Sequence, residues 1–223
     1  DRGRGDTRPR DPTPTSRRST VLDLRADLGD AFVLRGRGLN TRLAGALGDD
    51  GAAALAARLL THAVQQAVAA ACGPVELCVA PDATHPLVSR LRSLHGLTVT
   101  LQGEGDLGAR MRRALERSLA RGEDACLLGS DAPAIDATML RDTAARLATH
   151  DAVFVPAFDG GYALVGLSRE APSLFADMPW STGQVMALTR DRLLAAGLRW
   201  AALPPVHDID TPDDLADLAT AEA

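Results

Sequence analysis

Lysine is missing altogether: all 24 positive side chains of the 223-residue chain are arginine. That excludes a lysine Schiff base and a P-loop lysine. Any cationic side chain that meets a phosphate must be arginine. The three cysteines, Cys72, Cys78 and Cys126, form neither a CxxC pair nor a Cys/His cluster, so nothing points to zinc. Two of them sit in apolar, strand-like runs and read as buried thiols in a reducing compartment. No apolar run reaches the roughly 18 to 20 residues that span a bilayer, and no apolar signal core lies near the start. The expectation is a cytoplasmic protein without a membrane span.

What is present is acidic. The net charge is −5, unevenly spread: residues 1–20 hold six Arg and three Asp, a net of +3, so the rest carries −8. An acidic body argues against a nucleic-acid groove and fits a protein whose own carboxylates hold a cation. Residues 1–20 are polar and proline-containing without periodicity, and read as a disordered or loosely attached tail. Residues 21–223 are expected to form one domain.

From residue 31 onward, strand-like and helix-like segments alternate. Ala31–Leu34 is the first expected strand, followed by the loop Arg35–Gly38. A long Ala/Leu helix is capped at Asp49 or Asp50 and ends at Gly73-Pro74. Further strands are expected at Val75–Ala80, Leu97–Leu101, Ala125–Leu128, Ala152–Val155, Tyr162–Gly166 and Trp200–Leu203. Helices are expected at Pro86–Leu94, Leu107–Ala120, Thr138–Thr149 (capped by Asp136) and Gln184–Ala196. A last helix opens at Thr211-Pro212-Asp213-Asp214, which combines a cap, a first-turn proline and an acidic first turn. Repeated βα units imply an α/β fold of three layers, α/β/α, around a mostly parallel sheet. Ligands of such sheets bind beyond the carboxyl ends of the strands. The residues there are rich in Gly and Asp and almost free of His.

Five stretches at those strand ends carry chemistry. Gly129-Ser130-Asp131-Ala132-Pro133 delivers one carboxylate to the sheet's rim, the oxygen ligand that Mg²⁺ or Mn²⁺ prefers. The bland alternative is that Asp131 caps a turn. His207-Asp208-Ile209-Asp210-Thr211-Pro212-Asp213-Asp214 puts four carboxylates into seven residues, costly to gather without a cation. Asp213 and Asp214 are accounted for by a helix N-terminus, whereas Asp208 and Asp210 alternate around Ile209 and share the opposite side. Phe158-Asp159-Gly160-Gly161-Tyr162 is both a hairpin signal and a place where backbone can approach a ligand closely. Asp159 is the candidate catalytic residue, positioning or deprotonating an acceptor, and Gly160, Gly161 and Tyr162 are candidate substrate contacts. Gly103-Glu104-Gly105-Asp106-Leu107-Gly108 matches GxGxxG, but it follows the third strand and not the first, which weakens a dinucleotide reading. Gly105, Asp106 and Arg110 remain candidates for nucleotide contact, or Asp106 and Arg110 form a simple i,i+4 pair. Arg35, Arg37, Asn40 and Arg42, in and after a glycine-containing loop, suit a diphosphate, with a solvated loop as the bland alternative.

Taken in order, these segments resemble one bacterial family of GT-A-like proteins, the selenodomain-associated transferases, within the nucleotide-diphospho-sugar transferase superfamily. The matching stretches are Thr41-Arg42-Leu43, Gly105–Met111, Gly129–Pro133, Asp159–Tyr162, Pro179-Trp180-Ser181-Thr182 and Asp208–Leu215. The resemblance implies a GT-A-like fold, a divalent metal (Mg²⁺ or Mn²⁺) on Asp131 and Asp210, and a first-strand loop around the nucleotide's phosphates. It implies a transferase that takes a nucleotide or nucleotide-sugar donor and a small-molecule acceptor. The family's Lys before Thr-Arg-Leu is Asn40 here, and the loop is shorter. That departure favours a second reading, a catalytically degenerate binding or scaffold protein. The GxGxxG match alone supports a third, an NAD(P)-dependent oxidoreductase.

Overall fold

A computed structural model describes residues 17–23 and 39–215, with the side chains of Thr20 and of residues 43–215. Seven strands form one sheet: β1 (Arg17–Asp23), β2 (Val75–Val79), β3 (Thr98–Leu101), β4 (Glu123–Gly129), β5 (Ala152–Pro156), β6 (Tyr162–Leu167) and β7 (Trp200–Ala202). Their spatial order is β3-β2-β1-β4-β6-β5-β7. All neighbours are parallel except β6, which runs antiparallel to β4 and β5. The reversal follows from a short hairpin between β5 and β6. There Ala157 N–H donates to the Gly161 carbonyl at 3.1 Å and Gly160 N–H to the Ala157 carbonyl at 3.1 Å, as an Asp-Gly pair favours.

The strands alternate their side chains between two apolar layers, as the pleat requires. Cys126 and Leu128 of β4, with Val153 and Val155 of β5, pack under α1 (Leu39–Ala70), α2 (Pro86–His95) and α4 (Ala137–Leu147). Ala125 and Leu127, with Ala152 and Phe154, pack under α3 (Leu107–Leu119) and α5 (Val185–Ala195). Near-continuous apolar strands such as β4 and β5 are what a sheet covered on both faces demands. The three-layer α/β/α expectation therefore holds.

Two boundaries differ from the sequence reading. A described strand occupies Arg17–Asp23, inside the sheet between β2 and β4, so residues 17–20 belong to the sheet and not to the tail expected over residues 1–20, the rest of which lies outside the described residues. The loss of apolar side chains that suggested a tail is tolerated because backbone hydrogen bonds to two neighbours hold a central strand. The strand expected at Ala31–Leu34, with Arg35 and Arg37, lies outside the described residues. The long helix begins at Leu39 and not at Asp49, and is interrupted at Gly48, where φ is 70°. A positive φ is cheap only for glycine, so the expected start marks the second half of a broken helix. Asn40 and Arg42 thus lie on α1, ahead of that break.

Asp106 and Asp136 cap their helices, accepting from Ala109 N–H at 2.8 Å and Met139 N–H at 2.7 Å, and Gly96 ends α2 in the left-handed region. Among the described residues no helix is long and apolar enough to cross a membrane.

Candidate functional site

The carboxyl ends of β4, β5 and β7 meet at one rim. β4 ends at Gly129 and the chain turns through Ser130 to Asp131. A Cβ on Gly129 would lie 2.4 Å from Asp131 Oδ1, so the glycine is what lets that carboxylate fold over the strand end. The loop is anchored from α1: the His62 ring meets the Pro133 carbonyl at 3.0 Å and Gln66 Oε1 accepts from Ala137 N–H at 3.0 Å. Residues past β7 continue along β5, with Leu203 N–H donating to the Phe154 carbonyl at 2.9 Å and Val206 N–H to the Pro156 carbonyl at 2.9 Å. They then reach β4's end, where Ile209 N–H donates to the Asp131 carbonyl at 2.8 Å. Ile209 itself is buried against Leu43, Leu55 and Leu59. That anchoring turns Asp208 and Asp210 away from the core, as alternation predicts.

The consequence is a gathering of like charge. Burial raises the pKa of Asp208, and the negative charges of Asp159, Asp131 and Asp210 raise it further, to about 6. Opposite charge lowers a carboxylate and like charge lifts it, so Asp208 reports a negative field from three separate segments. Asp159 is exposed, and its Oδ1 accepts from Gly161 N–H at 2.7 Å. Asp214 does a different job. Its Oδ2 accepts from Thr211 N–H and Thr211 Oγ1, each at 2.7 Å, and from Asp210 N–H at 3.1 Å. Burial opposes its ionisation, but these hydrogen bonds outweigh burial and hold its pKa below the ordinary range.

The donors are oxygens, which is the chemistry of Mg²⁺ and Mn²⁺ sites. Among the described residues, no three His, Cys, Asp or Glu side chains are arranged to hold a metal ion by themselves. The set fits a hard dication in kind, with one or two carboxylates from the protein and the remaining oxygens from a phosphate-bearing ligand, as is usual for Mg²⁺.

The second group of sequence candidates is gathered by aromatic packing. Gly160, at φ 91°, lies against the backbone of Gly183, where an added Cβ would come within 2.3 Å of the carbonyl oxygen. The close approach expected of the paired glycines is therefore made, at Gly160, to the protein's own backbone. The Tyr162 ring meets Phe154 edge-on at 5.2 Å and Trp180 at 6.4 Å, and burial pushes its phenol well above the ordinary range. Tyr162 is a packing residue first, and remains protonated. Gly108 in turn admits the Trp180 indole, since an added Cβ would fall 2.7 Å from Trp180 Nε1. The GEGDLG, PWST and DGGY stretches, far apart in sequence, thus touch through one indole.

Asp106 and Arg110 form no simple pair of the kind expected. Asp106 caps α3, whereas Arg110 donates to the Gly105 carbonyl at 3.0 Å and to Gln102 Oε1 at 3.4 Å. Arg113 donates to the Gln102 and Glu104 carbonyls. The GxGxxG loop follows β3, an edge strand, and its carbonyls are held by these arginines. That is not the first βα turn on which a dinucleotide fingerprint depends.

Sequence reasoning missed one feature of the rim. The rings of Phe158 and His207 stack at 4.2 Å with 29° between their planes. Each lay in a stretch already singled out, but only the pairing of residues beyond β5 and β7 brings them together.

Comparison with known proteins places this geometry. The profile of a family described as an uncharacterized protein conserved in bacteria (DUF2064) matches residues 63–182, more than half of the chain. No curated protein matches. A crystal structure from Desulfovibrio desulfuricans G20, provisionally described as a nucleotide-diphospho-sugar transferase, is similar at a TM-score of 0.79 and 28% identity, covering 92% of this chain and 87% of that one. A CMP:2-keto-3-deoxy-manno-octonic acid synthetase complexed with CTP has a TM-score of 0.55 and 13% identity, over 93% and 98% of the two chains. Rv0371c of Mycobacterium tuberculosis H37Rv, complexed with manganese, has a TM-score of 0.53 and 18% identity, over 92% and 98%. The last two likenesses concern the fold alone, which is that of the nucleotide-diphospho-sugar transferases.

Proposed function

The chain belongs to the bacterial family DUF2064, and from that premise we propose that it is a divalent-metal-dependent transferase acting on a nucleotide-activated donor. The observation that supports the proposal is the placing of Asp131, Asp159, Asp208 and Asp210 at one rim from three strand ends, tied together by the Ile209 N–H to Asp131 carbonyl hydrogen bond. The fold of CTP- and manganese-bound neighbours supports it.

Asp131 and Asp210, with Asp208 beside them, would hold Mg²⁺ or Mn²⁺, which when bound neutralises charge developing on a leaving diphosphate or pyrophosphate. Asn40 and Arg42 on α1, with Arg35 and Arg37 before it, would face the phosphates. Gly105, Asp106 and Arg110 would line the nucleotide's side, and Gly160, Gly161 and Tyr162 the acceptor's. Asp159, exposed and held by Gly161 N–H, would accept the proton of the acceptor's attacking hydroxyl. The acceptor oxygen forms one new bond to the transferred group as that group's bond to the phosphate oxygen breaks. Both glycosyl and nucleotidyl transfer fit this description. The products distinguish them, because glycosyl transfer frees a nucleoside diphosphate and nucleotidyl transfer frees pyrophosphate.

The test is incubation of the protein with nucleoside triphosphates and nucleotide sugars, Mn²⁺ or Mg²⁺, and a mixture of small hydroxylated acceptors, with product mass and released phosphate species measured. Metal-dependent product that disappears in Asp131→Ala supports the proposal. Product that forms equally in Asp131→Ala contradicts it.

Asn40 favours a second reading, a binding protein of the same fold, because asparagine cannot neutralise phosphate charge as the family's lysine does. On that reading the native chain binds nucleotide without turnover, and Asn40→Lys gains turnover.

A further inference from the structure

We propose that Phe158 and His207 form an aromatic shelf that binds the C–H face of a pyranose ring, so that the acceptor is a carbohydrate. This rests on the transferase reading above and names the substrate class of that site.

Phe158 is 60% exposed, and it is the one aromatic among the large exposed hydrophobic side chains of the described residues. The others are aliphatic and lie on helices or on the edge strand β3. An exposed phenylalanine leaves apolar area in water, and here that area is held rigid. Phe158 N–H donates to the Val206 carbonyl at 3.1 Å, and Ala157 bridges Val206 in parallel. One face of the ring lies on His207 at 4.2 Å, and the exposure belongs to what remains. The shelf is thus fixed by backbone on one side and by stacking on the other.

Its surroundings specify the ligand. Phe158 is next to Asp159, and His207 is next to Asp208, so the stacked rings bring those two neighbours to the same rim. A ligand on the shelf therefore presents a flat, weakly positive face to the ring and hydrogen-bond donors to carboxylates at its edge. A pyranose does both. Its axial C–H bonds carry the partial positive charge that an aromatic face attracts, and its hydroxyls donate. Few well-placed polar groups around an apolar contact are what a small-molecule site needs.

Position in the sheet assigns the shelf to the acceptor. β5, whose end leads into Phe158 and the candidate base Asp159, is separated from β4 by β6. The shelf lies beyond β5 and β7, two strands past β4, or about 10 Å at the usual spacing of strands. An acceptor on the shelf would then lie beside Asp159, the candidate base, to one side of Asp131.

The experiment is saturation-transfer NMR on the whole chain with methyl glucopyranosides, methyl mannopyranosides and methyl galactopyranosides. Sorbitol serves as a linear polyol and 4-hydroxybenzyl alcohol as an aromatic alcohol. The native protein should saturate the ring C–H protons of at least one pyranoside, and bind it more strongly than sorbitol. Phe158→Ala should weaken that binding roughly tenfold, the size of one lost aromatic contact, and Phe158→Trp should restore it. Leu101→Ala, which removes an exposed side chain on β3, should leave it unchanged. No pyranoside signal, a signal indifferent to Phe158→Ala, or saturation of the aromatic alcohol alone would overturn the proposal. Nucleotide binding with Mn²⁺ measured on the same samples separates the two readings. If it persists in Phe158→Ala while pyranoside binding is indifferent to the change, the shelf fails and the transferase stands. If pyranosides bind at the shelf but no nucleotide binds, the transferase fails.

Discussion

Two clusters of charge in this molecule are built on opposite principles. On the face under α3, Glu76 is buried, and Arg117 reaches it from the helix with Nε at 3.1 Å and Nη2 at 2.5 Å. Thr100 Oγ1 donates to the same carboxylate at 2.7 Å, and Arg117 also meets Cys78 Sγ at 3.3 Å. Burial alone would lower the pKa of the guanidinium. The hydrogen bonds and charges of Glu76 and Cys78 outweigh it and hold the arginine above its ordinary value. At the rim, by contrast, burial and then the charges of Asp159, Asp131 and Asp210 act on Asp208, and the outcome is a carboxyl lifted to about 6. The first cluster is complete within the protein and holds an edge of the sheet. The second gathers like charge at a strand-end rim, which is the pattern expected of a functional site. Charge in the fold is stabilising where opposite signs meet and poised where like signs meet.

Substitutions at four positions test this contrast, beginning with the largest effect. Asp131→Ala should lower turnover by at least about 100-fold, as removal of a group that stabilises transition-state charge does, while the protein stays folded. Steady-state rates and a melting curve on one preparation check both halves. Glu76→Ala should do the reverse, leaving nucleotide binding intact but lowering stability by about 1 to 3 kcal/mol, because it leaves a half-buried guanidinium and Thr100 without their carboxylate partner. Urea unfolding measures this. A loss below about 0.5 kcal/mol would remove the cluster's claim to a structural role.

Asp208→Asn sharpens the contrast through pH. The carboxyl's folded-state pKa lies above its ordinary 3.8, at about 6, so folding favours the protonated form. Its ionisation costs nothing below about pH 4, costs progressively more as pH rises toward 6, and costs fully above that. The asparagine variant should therefore match the native protein at pH 4 and be more stable at pH 7.5. Allowing for solvent screening, the gain is about 1 kcal/mol, or roughly 2 to 4 °C. Melting curves with a chelator present check it. Equal destabilisation at both pH values would mean that Asp208 is a structural hydrogen-bonding residue. The smallest effect is expected at Asp106. Asp106→Ala should cost about 1 kcal/mol through loss of the α3 cap, and Asp106→Asn should recover it. Weaker nucleotide binding in the asparagine variant would show that Asp106 contacts the ligand as well.

Much of the fold was legible because it rests on local rules. Apolar runs of four to seven residues at β2, β4, β5 and β6, with capping by Asp106 and Asp136, mark the βα units without reference to tertiary structure. β1 was not legible. Arg17–Asp23 is held by pairing to both β2 and β4, a long-range interaction that leaves little local trace, and its Arg-rich start reads as tail. The carboxylates of the rim could be picked out because strand ends are where ligands bind and because Ile209 fixes the side on which Asp208 and Asp210 lie. The field on Asp208 could not be picked out, since Asp159 reaches Asp208 only through the pairing of residues beyond β5 and β7. The glycines show the same limit. Gly160 stands where a ligand-binding glycine was expected, yet the contact it makes room for is the backbone of Gly183.

The central claim is that the rim carboxylates bind a dication together with a nucleotide. A thermal-shift titration tests it most directly, with nucleoside triphosphates and nucleotide sugars, with and without Mg²⁺ or Mn²⁺, on the native chain and on Asp131→Ala. A ligand at about 100 times its dissociation constant stabilises by roughly 2.7 kcal/mol, which for a chain of this length raises the melting temperature by about 5 to 11 °C. A shift of that size that requires metal and is lost in Asp131→Ala is the predicted result. A nucleotide shift that is the same without metal, or that survives in Asp131→Ala, would contradict it.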